Sequence, residues 1–122
     1  MEVAEGIPNR NDIKPIIMCD YKILHHSADG YVVKCLECGC LKLAFGTTAM
    51  AMDEEQFYEF KKVVCEYHEN YKHCVSQAQK RIHIPTALPS VSLLYSLDDL
   101  EQLSYLLDEA HLSLEIDKLL AE

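Results

Sequence analysis

The sequence predicts an α+β fold, an antiparallel meander sheet of five or six strands packed by two helices. Three observations carry that expectation. Apolar residues between Ile16 and Met52 recur with period two, the spacing of strands with one buried face. From Asp53 the period changes to alternating threes and fours, the spacing of an amphipathic helix. A short pair of strands and a leucine-rich helix then complete the chain. Strands grouped first, with helices packed on them afterwards, make the class α+β.

The 122 residues suffice for one domain with a hydrophobic core of its own. Residues Met1 to Pro15 are polar, carry Gly6 and Pro8, and read as a flexible lead-in; residues 16–122 read as a single domain. A formal charge of −9 argues against nucleic acid as a partner, because that affinity comes mostly from neutralising phosphates with Lys and Arg. The 11 basic residues form no stripe, so an anionic membrane surface is disfavoured too. The N-terminus has neither a positive n-region nor an apolar h-region, and no run approaches the ~18 apolar residues of a membrane span. These features predict a cytoplasmic protein, in which thiols stay reduced and a cysteine cluster points to metal or redox chemistry rather than to a disulfide framework.

In the first strand, Ile17, Cys19, Tyr21 and Ile23 share one face, with Asp20 and Lys22 opposite. Tyr31, Val33 and Cys35 make a second apolar face of the same parity, and Leu41, Leu43 and Phe45 a third. A two-residue Asp29-Gly30 loop would set odd positions against even ones and separate the first two faces. A three-residue loop, Ala28-Asp29-Gly30, pairs Ser27 with Tyr31, keeps both faces together and puts Gly30 in the left-handed conformation. The three-residue loop is therefore preferred, and in that register Cys19 arrives beside the Cys38–Cys40 turn. After Phe45 the parity shifts to Thr48, Met50 and Met52, with Gly46 at the switch, as a bulge or tight turn requires.

Asp53-Glu54-Glu55-Gln56 has the form of a capping box, with Met52 and Phe57 placed as a hydrophobic staple. Phe57, Phe60, Val64, Tyr67, Tyr71, Cys74 and Ala78 then form one narrow stripe on a long helix. Arg81 to Ile84 resumes strand alternation, Pro85 to Ser90 is a loop, and Val91 to Tyr95 is a further strand. Ser96 with Asp99 caps the last helix, and Tyr95 with Leu100 makes its staple. Its apolar set widens toward Leu112, Ile116, Leu119 and Leu120, which predicts burial on a second side. Cover by the protein's own sheet and homodimerisation through this helix both satisfy that pattern.

These motifs together resemble a family of small uncharacterised bacterial proteins, known mainly from Bacteroidota. The resemblance rests on Cys19, on Gly30-Tyr31-Val32 before Cys35 and Cys38, and on Leu43-Ala44-Phe45-Gly46-Thr47. The Asp53 to Phe57 helix start, the Ile84-Pro85-Thr86 loop and the leucine-rich last helix also match. It spans roughly Met18 to the C-terminus and implies no activity. It singles out Cys19, Cys35 and Cys38 as a set, and does not include Cys40, His25, Cys65 or Cys74.

The thiols are the one place where the residues point to chemistry. A Cys35-x-x-Cys38-Gly39 turn lets two thiolates chelate one ion, and Cys19 supplies a third from the neighbouring strand. Tetrahedral structural zinc needs a fourth ligand. Cys40 completes the set Cys19, Cys35, Cys38 and Cys40; His25, His26, Cys65 and His68 are the alternatives. Cys65 and His68 share a helix side, but residue 65 lies three turns into its helix, whereas zinc knuckles usually ligate from the first turn. The alternative is thiol redox or metal-handling chemistry at Cys35/Cys38. Reactive pairs usually open a helix that stabilises the thiolate, and this one sits in a β-turn with Glu37 between the sulfurs. Plain packing is a third reading, since cysteine in a strand behaves as a small hydrophobe.

Elsewhere the residues read as structure. His25 and His26 sit at a strand end, where solvated histidines are common; His68 and His73 lie off the apolar stripe, His83 points to the other sheet face, and His111 lies late in the last helix. Asp53-Glu54-Glu55 answers a helix dipole, and the Tyr67/Tyr71 stripe is core. There is no G-x-S-x-G, H-E-x-x-H or glycine-rich phosphate loop. The expectation is a non-enzymatic domain that meets an unidentified protein partner, with zinc as a structural ion.

Overall fold

Capping boxes and tight turns divide the chain into eight elements in the computed structural model, which describes residues 20–73, 80–86 and 88–121. They are β1 (Tyr21–His26), β2 (Gly30–Cys35), β3 (Leu41–Phe45), β4 (Thr48–Met52), α1 (Glu54–Tyr71), β5 (Ile82–Pro85), β6 (Ser92–Tyr95) and α2 (Leu97–Ala121). The lead-in over 1–15, the first-strand residues Ile17 and Cys19, and the stripe positions Cys74 and Ala78 lie outside the described residues. The architecture is α+β as expected, with the Cys35–Cys38 turn between β2 and β3. The six strands divide into two sheets, a meander in the order β1-β2-β3-β4 and a separate β5-β6 hairpin.

The first hairpin departs from both loops considered above. His26 pairs with Tyr31, and the Ser27 N–H donates to the Gly30 carbonyl at 2.8 Å, which leaves Ala28 and Asp29 as the turn. The register then shifts between Ile23 and His25, so Leu24 is a bulged extra residue, and Tyr21 returns opposite Cys35. The bulge turns Tyr21 and Ile23 to the side of Tyr31 and Val33, and the pairing of Val32 with the buried Leu43 sets which side of β2 faces the core. Leu24 is the buried residue of β1, while Tyr21 and Ile23 are exposed. In β2 Val32 and Cys35 are buried, and Tyr31 is exposed. The expected apolar faces Tyr21/Ile23 and Tyr31/Val33/Cys35 thus share one side of the sheet, the side away from the core; Cys35, at the end of β2, is nonetheless buried, outside the main core cluster. Hydrophobic alternation cannot register a bulge, because one inserted residue inverts every position beyond it.

Gly30 also has a different role from the one expected. Only Gly39 and Gly46 have positive φ among the described glycines. What Gly30 provides is room: a Cβ there would lie 2.1 Å from the Ala44 carbonyl oxygen of the neighbouring strand.

Leu41, Leu43 and Phe45 are all buried, as expected. A two-residue Gly46-Thr47 turn, with Gly46 at φ 58°, pairs Phe45 with Thr48 and accounts for the parity switch. The capping box of α1 is complete: the Gln56 N–H donates to Asp53 Oδ1 at 2.7 Å, and the Asp53 N–H donates to Gln56 Oε1 at 2.9 Å. Phe57 and Val64 are its fully buried residues, with Phe60 and Tyr67 packed against the core. At α2 the Asp99 N–H donates to Ser96 Oγ at 3.0 Å and the Ser96 N–H to Asp99 Oδ2 at 3.1 Å.

The core lies between the inner sheet face and α2, with α1 packed alongside α2. Leu97, Leu100, Leu103, Leu106, Leu107, Ala110 and Leu114 of α2 are buried there. The opposite side of the same helix is uncovered: Leu112 is 54% exposed, Ile116 46% and Leu119 73%. The widening apolar set is therefore two opposed stripes, of which the protein's own sheet covers one. No helix among the described residues is long and apolar enough to cross a membrane.

Candidate functional site

The thiol turn is built from the end of β2. The Cys35 N–H donates to the Cys40 carbonyl at 2.8 Å, closing the β2–β3 connection. The Gly39 N–H donates back to the Cys35 carbonyl at 2.9 Å, and Gly39 at φ 82° makes the reversal that returns the chain to Cys40. Inside this loop the Cys38 N–H donates to Cys35 Sγ at 3.4 Å. An amide aimed at a sulfur stabilises negative charge on it, the arrangement that a thiolate ligand needs.

Exposure separates the three sulfurs. Cys35 is buried, whereas Cys38 and Cys40 are exposed. The hydrogen bond between the Cys38 and Cys40 side chains, followed by the charge Cys38 would carry, pushes the Cys40 thiol up; desolvation, Cys35 and the Asp53 carboxylate act in the same direction. Cys38 therefore interacts with both neighbours, through its side chain with Cys40 and through its amide with Cys35. A Cys-Gly-Cys tripeptide with the glycine at positive φ was the available signal for the first of these.

Of the proposed fourth ligands, the structure brings only Cys40 to the turn. His26 pairs with Tyr31 at the far end of the β1–β2 ladder from Cys35, and the ring of His25 packs edge-on against Tyr105 with centroids 5.6 Å apart. Cys65 faces α2, its Sγ 3.8 Å from Ser104 Oγ, and His68 Nε2 lies 3.8 Å from Glu101. Cys19 lies outside the described residues, but its neighbour Asp20 accepts a hydrogen bond from the Leu36 N–H at 2.8 Å, so the start of the first strand runs alongside the turn. Among the described residues, no group of three or more His, Cys, Asp or Glu side chains is arranged to hold a metal ion.

The other concentration of polar side chains joins α1 to α2, and sequence reading missed it because its members are far apart along the chain. Lys118 Nζ lies 2.9 Å from Glu54 and donates to Tyr58 Oη at 3.1 Å, while Tyr58 Oη donates to Glu115 at 3.1 Å. The Lys118 bond holds Glu54 below the usual carboxylate range and Lys118 above the usual ammonium range. Desolvation pushes the Tyr58 hydroxyl up. Every member answers another, so the cluster clamps two helices and leaves no activated nucleophile. The adjoining hollow, about 520 Å³, includes Cys65 and His111, but the first faces Ser104 and the second packs on Tyr58 and Glu115.

A family described as "Family of unknown function (DUF6686)" matches residues 17–121. The chain belongs to it. Membership in DUF6686 agrees with the resemblance drawn from Cys19 through Thr47, at the level of an uncharacterised family. No curated protein and no solved structure matches the chain. For this DUF6686 chain the chemistry is therefore argued from the residues themselves.

Proposed function

We propose that this chain is a non-enzymatic cytoplasmic domain of bacterial origin that acts through a protein surface. The observation that carries this reading is the uncovered stripe of α2. Leu112, Ile116 and Leu119 repeat at helical spacing, and each is at least 46% exposed, directly opposite a fully buried stripe. The proposed occupant is a second copy of the chain. A two-fold crossing at Ile116 sets Leu112 of one copy against Leu119 and Leu120 of the other, the isologous arrangement common among homodimers. Sedimentation equilibrium tests it: a dimer that Ile116→Glu converts to a folded monomer supports the reading, and a monomer at every concentration removes it.

In the same reading Cys19, Cys35, Cys38 and Cys40 hold a structural zinc ion. The amide aimed at Cys35 Sγ and the turn that returns Cys40 to Cys38 support it. Elemental analysis of protein purified without chelator or affinity metal is the test, with one zinc per chain expected. The second reading is thiol–disulfide exchange, and one observation favours it: Cys38 and Cys40, one residue apart across the reversal at Gly39, are both exposed. A metal-free protein whose Cys38 and Cys40 form a reversible disulfide would replace the zinc reading with this one.

A further inference from the structure

We propose that the outer edge of β4, with the groove beside it, docks an extended, lysine- or arginine-bearing segment of another protein as an added strand. The proposal stands apart from the thiol turn and from α2. Among the described residues, β4 is the last strand of its sheet and pairs with β3 alone. Antiparallel pairing of Phe45 with Thr48, Leu43 with Met50 and Leu41 with Met52 directs the N–H and C=O groups of Ala49 and Ala51 away from β3. Both alanines are exposed, and among the described residues no side chain or loop bonds to either. Edge strands are usually guarded by a charge, a proline or a bulge. Thr48-Ala49-Met50-Ala51-Met52 has none of these.

Two adjoining hollows, 150 Å³ and 520 Å³, flank this edge and share Gln56, Phe60 and Thr86. Met50, Phe60 and Val63, all packed against the core, contribute to their apolar surface. Asp53, Glu55 and Glu59 line the larger hollow, and among the described residues no Lys, Arg or His lines either. None of the three carboxylates is ion-paired among the described residues, and Asp53 is engaged as the helix cap. Glu55 and Glu59 stand four apart on one helix, where like charges repel. A cation from a partner would relieve that repulsion.

These features select the occupant. Unpaired strand groups are satisfied by another extended backbone, the apolar hollow takes an alternate side chain, and the carboxylates take the basic ones. A second copy fits poorly, since its own β4, Thr48-Ala49-Met50-Ala51-Met52, carries no cation to answer the carboxylates.

The test uses the full chain and a fluorescein-labelled peptide of alternating lysine and valine, with a glutamate–valine peptide as control. The expected result is saturable binding of the lysine peptide only, with slowed amide exchange at Ala49 and Ala51. Glu55→Lys/Glu59→Lys should weaken binding by at least about tenfold with the far-UV CD spectrum unchanged. Ala51→Pro, which removes no bond to β3, should abolish it. Absence of binding, exchange protection elsewhere, or equal binding by the charge-reversed variant would overturn the proposal. So would a concentration-dependent dimer lost in Ala51→Pro, because the edge would then belong to a second copy. If Ala51→Pro fails to fold, the exchange pattern of the unaltered chain decides alone.

Discussion

Ser113 of α2 donates its hydroxyl to the backbone carbonyl of Leu24 at 2.7 Å, across 89 positions of sequence. Leu24 is the bulged residue of β1, so its backbone lacks a regular ladder partner. The helix thus supplies what the strand gives up, and the bulge that buries Leu24 is held from outside the sheet.

Ser113→Ala should therefore cost about 1 kcal/mol in chemical denaturation, with the transition remaining cooperative. Losing the bond to a partly buried carbonyl costs about 1–2 kcal/mol, and the better helix propensity of alanine returns about 0.5 kcal/mol. A variant as stable as the parent would show that water replaces the hydroxyl without loss.

Gly30→Ala and Gly39→Ala separate two reasons for a glycine. At Gly30 the added Cβ would sit 2.1 Å from the Ala44 carbonyl oxygen, a clash that only backbone movement relieves. At Gly39 there is open space, but φ is 82°. The first substitution should cost about 3 kcal/mol or more, and the second about 1–2 kcal/mol, the left-handed penalty of a side chain. Thermal unfolding of both variants checks the order; a larger loss at Gly39 would contradict it.

How much of this could be read in advance follows from how local each signal is. The capping boxes at Asp53 and Ser96 and the buried Leu41/Leu43/Phe45 face are set by residues a few positions apart, and they stand as read. The inward side of β1 was misassigned because a bulge at Leu24 leaves no mark in the alternation, and that of β2 because it follows from the pairing of Val32 with Leu43 on the next strand. The return of the chain from Cys38 to Cys40 depends on the positive φ of Gly39, which spacing does not encode. Likewise the β4 edge exists because β5 and β6 form their own sheet rather than continuing the meander. Long-range strand pairing of that kind has no short motif.

The Glu54–Lys118 contact predicts a pH dependence with a definite sign. Glu54 is held below its usual value of 4.5, first by the Lys118 hydrogen bond. A depressed carboxylate contributes stability above its unfolded pKa and loses it as pH falls through the lower folded value. The parent should therefore lose stability below about pH 4.5, and Glu54→Gln should flatten that part of the profile while leaving the neutral-to-alkaline part parallel. Melting temperatures of both proteins across the acid range provide the measurement, and identical acid slopes would remove Glu54 as a source.

Cys38→Ser is the substitution that distinguishes a filled metal site from bare thiols, and the burial pattern explains why Cys35→Ser is not. Cys35 is 1% exposed and its sulfur accepts the Cys38 amide, so a hydroxyl there disturbs packing whether or not a metal is bound. Cys38 is exposed. Without a metal its side chain contributes little to folding, and serine should fall within about 0.5 kcal/mol of the parent. With zinc bound, the same change removes a ligand, and binding free energy that is also folding free energy goes with it. The expected outcome is a large fall in melting temperature in Cys38→Ser, matched by the parent after chelator treatment and absent from chelated Cys38→Ser. Alkylation followed by peptide mass spectrometry gives an independent reading: the parent should resist labelling at Cys38 and Cys40 until chelated, then label there before Cys35. Fast labelling of Cys38 in untreated protein, with Cys38→Ser as stable as the parent, would leave the exposed pair as a dithiol and Cys35 as packing.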